Sequence, residues 1–260
     1  MLLGIDVGNS NIVLGVFDGE SLRASWRIHT RTAATSDEYG VLMAGMFAAA
    51  NLDPSIIDGV ALASVVPPLT PSFAELAQSM FRSEPLIVDA GVRTGVKVRY
   101  DSPRDVGADR VCNAAAAGRY YGAPACIIDF GTGTTFDAIN AAGEYVGGAI
   151  APGLEISLQA LAGHTARLPR VELRPPPATI GRNTVHAMQS GLVYGYVSLV
   201  EGMVARFRTE LGSAMQVIGT GGLAELIAAE TSVVEHLDPW ITLKGLQIVY
   251  QLNRSPAGVA

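Results

Sequence analysis

The sequence predicts an α/β protein assembled from two copies of one unit, and three observations carry that expectation. The segment IDVGNSNIVLGVFDGES at 5–21 is echoed by IDFGTGTTFDAINAAGE at 128–144; Asp6 answers to Asp129 and Gly8 to Gly131 at the same spacing of 123 residues, close to half of the 260-residue chain. Each copy reads as strand, D-x-G turn, second strand and polar turn, a duplication of a domain rather than a short solenoid repeat. With 49% hydrophobic and 16% charged residues, the chain has apolar material for one large core or for two domains of about 100–150 residues. The expected division is 1–118 and 119–260, and two similar halves facing each other would form a cleft to which each contributes one D-x-G turn.

Taken in order, residues 2–7 and 12–17 are β-branched and apolar runs, and Asp18-Gly19 is a hairpin signal leading to a third extended run, 22–28. From Asp37 to Ala50 the apolar density fits a helix; Gly59 to Val66 reads as a buried strand ended by Pro67-Pro68. A helix is expected after Thr70-Pro71, with the threonine hydroxyl as cap and proline in the first turn, and another from Asp105 to Tyr120. In the second half, VIGTGG at 217–222 is a strand entering a glycine turn, followed by a helical LAELIAAE. A long helix is expected from Thr184 to Leu211, with Thr184 at its N-cap position. Its apolar residues Val193, Tyr194, Tyr196, Val197, Leu199 and Val200 cover more than one face, which fits burial against its own domain and against a second copy of the chain. Gly191 and Gly195 would let another helix approach, or pack on a strand of the same chain.

Composition excludes several functions. A net charge of -6 argues against a nucleic-acid partner, which needs clustered Lys and Arg to replace counterions. Cys112 and Cys126 lie in apolar surroundings without CxxC spacing and read as reduced core residues. MLLGIDVGNS lacks a basic region and is interrupted by Asp6, so no secretory signal is expected. No apolar run approaches the roughly 18 residues needed to span a bilayer, so a cytoplasmic, membrane-free protein is expected. His29, His164, His186 and His236 are scattered with no HExxH or triad-like setting.

No G-x-x-x-x-G-K-[ST] occurs, and the Asp129-Phe130-Gly131 triplet lacks the other protein-kinase signatures. GTGTTF fails as a dinucleotide fingerprint, because Phe136 stands where the last glycine belongs and a strand follows. The D-x-G turns offer another route to phosphate: backbone N–H groups and small polar side chains can hold phosphate oxygens, while the carboxylate positions a cation. The candidates are Asp6, Gly8, Asn9, Ser10 and Asn11 in the first copy and Asp129, Gly131, Thr132, Gly133, Thr134 and Thr135 in the second. The residues alone leave open whether that cation is Mg²⁺ or monovalent. Two such turns, with a GTGG turn able to lie flat under an adenine, point to a nucleotide site.

The order DVGNSN, SVVP, YDSPRDVGADR, DFGTGTTFD, GGAIAPG, HTARLP, IGRNT, GTGG and LKGLQIVYQLN resembles the type III pantothenate kinase family over nearly the whole chain. The G-A-D-R stretch at 107–110 separates that family from other enzymes of the actin-like superfold; Ser10 and Ser102 depart from the residues the family commonly has. The resemblance implies two duplicated actin-like (ribonuclease H-like) domains with a nucleotide cleft between them, and transfer of the γ-phosphate of ATP to pantothenate, the first step of coenzyme A biosynthesis. It implies Asp109 as catalytic base, a role a carboxylate beside the acceptor hydroxyl can fill; from the residues alone, Asp109 reads equally as an acidic residue in a first helical turn. It places Tyr100, Gly107, Ala108, Asp109, Arg110 and Thr184 around pantothenate, with Thr184 supplied by the second subunit of a homodimer. Arg110 suits a carboxylate partner, or one end of a structural salt bridge. Asp6, Val7, Gly8, Asn9, Ser10, Asn11, Ile12, Val13 and Thr132 would contact Mg²⁺-bound ATP, and Asp129 would hold a monovalent cation, K⁺ or NH₄⁺. Two rivals stand beside this reading: a nucleotide hydrolase of the same superfold, which the GADR segment disfavours, and a regulatory protein that has lost turnover, which the intact Asp6, Asp109, Asp129 and Thr132 disfavour.

Overall fold

The computed structural model describes residues 1–254. The chain clusters into two compact units, one formed by Met1–Ala116 together with the segment from Ile241 onward, the other by Ala117–Trp240.

In the first unit, β1 (Leu2–Val7), β2 (Asn11–Asp18) and β3 (Ser21–His29) form the antiparallel meander that the alternating apolar runs predict. Helix α1 (Ser36–Ala49) opens on a capping box: the Thr35 hydroxyl accepts from the Glu38 backbone N–H while the Glu38 carboxylate accepts from that of Thr35. Strand β4 (Gly59–Ser64) then returns parallel to β1. Helix α2 (Thr70–Phe81) follows, with Leu69 rather than Thr70 in the cap position. Thr70 lies inside the helix, and its hydroxyl donates to Ser64 Oγ at 2.9 Å, so a nearby side-chain acceptor replaced the expected capping role. A short β5 (Leu86–Ile87) completes a sheet of order β3-β2-β1-β4-β5. Tyr39, Met43 and Phe47 of α1 and Phe73, Leu76 and Phe81 of α2 build the core against this sheet.

The second unit repeats the plan. Strands β6 (Ala125–Phe130), β7 (Gly133–Ile139) and β8 (Tyr145–Pro152) form a meander, β9 (Gln216–Thr220) lies parallel to β6, and β10 (His236–Leu237) lies parallel to β9. The sheet order β10-β9-β6-β7-β8 reproduces the first sheet strand for strand, so the repeat visible around residues 5 and 128 extends to whole sheets. Helix α3 (Ala108–Tyr120) carries the chain from one unit into the other. A single 3-10 turn at Pro103–Asp105 precedes it, so α3 starts three residues later than the acidic run suggested. Helix α4 (Leu154–Gly163) follows β8, α5 spans Thr184–Leu211 as expected, and the short α6 (Ala224–Ala228) follows β9.

The expected division at residue 118 differs from this clustering in one element. Helix α7 (Ile241–Asn253) was assigned to the second half by a division at residue 118, yet it packs with the first unit. Its buried Leu243 and Leu246 lie against β1, Gln247 Nε2 donates to the Gly19 carbonyl, and the Thr242 hydroxyl donates to Asn113 Oδ1 at 2.8 Å. An apolar stripe must find an apolar face, and the face available was remote in sequence. On α5, Val193, Tyr196, Val197 and Val200 are buried within the chain itself, while Tyr194 and Leu199 are half-buried. Gly191 and Gly195 are exposed, and a Cβ at either would meet nothing within 4 Å, so they do not pack on a strand of the same chain.

Candidate active site

Both D-x-G turns sit where a parallel pair of strands ends, the position at which α/β sheets bind ligands. In the first unit Asp6 stands in register with Ala63 of β4 and Val13 of β2. The Gly8 N–H closes the turn on the Asn11 carbonyl at 3.0 Å. Beyond β3, the Thr30 hydroxyl donates to the Gly8 carbonyl at 2.6 Å and the Thr30 N–H to the Ser10 carbonyl at 3.0 Å. Thr30 thus braces the turn from 22 residues away, a role with no local sequence signal. Asn9 and Ser10 are exposed at the tip. Val7 and Ile12 are fully buried in the hydrophobic core, which leaves only their backbone for any ligand; Val13 is half-buried.

In the second unit Asp129 closes β6 in register with Thr135 of β7 and Thr220 of β9, which brings the DFGTGT turn beside the GTGG turn. The Gly131 N–H donates to the Gly133 carbonyl at 3.1 Å, and the Gly153 N–H to the Thr132 carbonyl at 3.1 Å. Asp129 is half-buried and Thr132 exposed. Among the described residues no three of His, Cys, Asp and Glu converge as a ligand cage.

Asp109 occupies the first turn of α3. Burial pushes its carboxyl above the usual range, opposed by the hydrogen bond from the Arg110 N–H (2.8 Å to Oδ1) and by the Arg110 charge. A raised pKa moves a carboxylate toward the value at which it serves as a base near neutral pH. Gly107 makes this placement possible: a Cβ there would run into Asp109 Oδ1 and lie 3.3 Å from Val65. Burial raises the pKa of the Cys112 thiol, and the charges of Asp6 and Asp109 raise it further.

Gly107 and Ala108, the two residues before Asp109, line a cavity of about 860 Å³ in the first unit together with Val65, Val88, Val96 and Val106 and the polar Asp89 and Arg104; Asp109 and Arg110 are not among its lining residues. A mostly apolar concavity with a few polar groups is what a small organic substrate requires. Arg110 is buried. Tyr100 lies outside the lining, on the preceding loop, with 40% of its surface exposed. Thr184 belongs to a second cavity, of about 810 Å³ in the second unit, with Leu161, Arg182, Met188 and Leu192. The N-cap of α5 is Asn183, whose side chain accepts from the His186 N–H at 2.8 Å; Thr184 is the next residue, free of the capping role expected for it.

Comparison with known proteins follows the same lines. The family model described as type III pantothenate kinase matches residues 2–206. Curated relatives include the type III pantothenate kinase of Myxococcus xanthus, 49% identical over 255 residues with 98% of this chain and 100% of the relative covered. That of a Roseiflexus species is 51% identical with the same coverage. Among solved structures, component A of (R)-2-hydroxyglutaryl-CoA dehydratase from Acidaminococcus fermentans aligns with a TM-score of 0.55 at 14% identity, covering 96% of each chain, and so shares the fold. With half of its residues shared across the full length of such relatives, this chain belongs to the type III pantothenate kinase family.

Proposed function

We propose that Asp109 is the general base of the reaction that family membership assigns to this chain, the ATP-dependent phosphorylation of pantothenate to phosphopantothenate. The observation that carries the proposal is the raised Asp109 carboxyl at the first turn of α3, beside an 860 Å³ cavity lined by Gly107 and Ala108. Pantothenate enters the cavity with its primary hydroxyl toward Asp109, which accepts the proton as the oxygen attacks phosphorus. Arg110 takes the carboxylate end, and Tyr100 contributes from the adjoining loop. The turn at Asp6–Val13 and Thr132 hold the ATP phosphates with backbone N–H groups and hydroxyls. Mg²⁺ on the nucleotide and a monovalent cation at Asp129, K⁺ or NH₄⁺, supply charge neutralisation at the phosphates. Otherwise catalysis is positioning, since the chain's own groups orient donor and acceptor for in-line transfer.

A homodimer is part of the same proposal. The exposed apolar residues Ile150, Ile156, Leu161, Ile180 and Val185 all belong to the second unit, with Ile180 at 83% exposure, and the open Gly191 and Gly195 face of α5 lies in that unit too. A second copy covering them brings Thr184 to the acceptor site. No helix among the described residues is long and apolar enough to cross a membrane.

The test is ADP formation from Mg²⁺-ATP with and without pantothenate, in K⁺ and then Na⁺ buffer at matched ionic strength. Turnover that requires pantothenate and falls in Na⁺ is the expected result. Release of ADP indifferent to pantothenate would make the chain a hydrolase, and equal rates in both salts would remove the cation role of Asp129.

A further inference from the structure

Tyr196 lies at the middle of α5, outside the motifs named above, and its hydroxyl meets residues on either side of the second-unit turn. It is hydrogen-bonded to Thr134 Oγ1 and lies 2.8 Å from the Pro152 carbonyl oxygen. The side chain is 7% exposed and Thr134 1%, so water does not compete for these bonds. A phenol has one proton, and a carbonyl can only accept. Tyr196 therefore donates to Pro152, and the Thr134 hydroxyl donates to Tyr196. Burial raises the phenol's pKa and the Thr134 bond lowers it, which keeps the group a neutral donor at physiological pH.

The Pro152 carbonyl and the Gly153 N–H belong to one peptide plane and point in opposite directions. Tyr196 holds the carbonyl end, and the N–H end donates to the Thr132 carbonyl at 3.1 Å. A Cβ on Gly153 would strike the carbonyls of Thr132 and Gly131, so this contact forms only at glycine. One hydroxyl thus grips the Gly131–Gly133 turn at two points: through Thr134 just after it, and through the 152–153 peptide to its central residue. We infer that Tyr196 is a positioning residue for ATP, fixing the turn whose Thr132 contacts the nucleotide phosphates. The inference rests on the proposed assignment of Thr132 to ATP, and it makes α5 the element that sets the shape of the phosphate turn.

The experiment measures KM for ATP and for pantothenate, kcat and thermal midpoint in the full-length protein and in Tyr196→Phe, Thr134→Val, the double variant, Thr134→Ser and Thr132→Ala. Loss of the grip is expected to raise KM for ATP about tenfold, the scale of one or two buried hydrogen bonds, with KM for pantothenate unmoved. The double variant should be no worse than the more affected single one, because both remove one network. Thr134→Ser keeps the hydroxyl and should recover most of the loss. If Tyr196→Phe does not fold, the contrast between Thr134→Val and Thr134→Ser reads the same network, because the Thr134 side chain is buried against Tyr196 and not open to a nucleotide; equal KM values for ATP in the two would overturn the inference. An unchanged KM for ATP in Thr132→Ala overturns the turn assignment and this inference together. A raised KM in Thr132→Ala beside an unchanged one in Tyr196→Phe overturns the role of Tyr196 only. Parallel rises in both KM values with a lowered midpoint would make Tyr196 a packing residue and also overturn it.

Discussion

Replacing Asp109 by asparagine tests the proposed chemistry with little disturbance to its frame. The asparagine carbonyl still accepts from the Arg110 N–H, which lies 2.8 Å from Oδ1 in the parent, so the start of α3 keeps its hydrogen bond. What is lost is the proton acceptor. General-base catalysis contributes about 10²–10⁴ in rate, and at about 1.4 kcal/mol per decade this is about 3–5.5 kcal/mol of transition-state stabilisation. kcat should fall by that factor while the KM for ATP stays close to the parent value. Stability should move the other way. Burial raises the folded-state pKa of Asp109, so between the unfolded and folded values the folded chain retains a proton that the unfolded chain releases. The stabilisation linked to that proton is complete below the unfolded value and is lost as pH rises through the folded one. Above the folded-state value the ionised parent bears the burial penalty and the asparagine variant does not, so there the variant should melt at an equal or higher temperature, and the difference should shrink on acidification. Steady-state kinetics and thermal melts at several pH values provide the assay. A variant within threefold of the parent kcat, or one that loses activity and is less stable than the parent at every pH, would refute the reasoning.

Thr30→Val removes the hydroxyl that lies 2.6 Å from the Gly8 carbonyl and should raise KM for ATP several-fold, about 1 kcal/mol, with little change in KM for pantothenate. Tyr145→Phe removes the donor that reaches the buried Asp137 carboxylate at 2.9 Å; urea unfolding should show a loss of about 1–3 kcal/mol. Tyr121 is pushed up to about 12, by burial first and then by the Asp238 carboxylate beside its hydroxyl. Its phenolate absorbance should appear late in an alkaline titration, and earlier in Asp238→Asn.

The D-x-G turns were legible because the information is local: a strand, an acidic residue, a glycine and small polar residues specify such a turn wherever the chain lies. The duplication added a second line of inference, and the shared strand order shows that it describes whole sheets. Asp109 stood out only through the GADR resemblance, since helical propensity and catalysis ask for the same residue at that position. Caps were less secure. Asn183 and Thr184 are adjacent and both competent, and which of them caps α5 depends on backbone geometry at a single residue.

By itself, the sequence determined the meanders, the long helix, the twofold repeat and the chemical nature of the two turns, all of which follow from patterns within a few residues. Only the tertiary structure decided that α7 packs with the first unit, that Thr30 braces Gly8 across 22 residues and that Tyr196 reaches Thr134 across 62. Those contacts come from burying apolar faces and pairing buried polar groups between segments far apart in the chain. Their energy depends on which surfaces meet in the folded state, and neighbouring residues do not encode it.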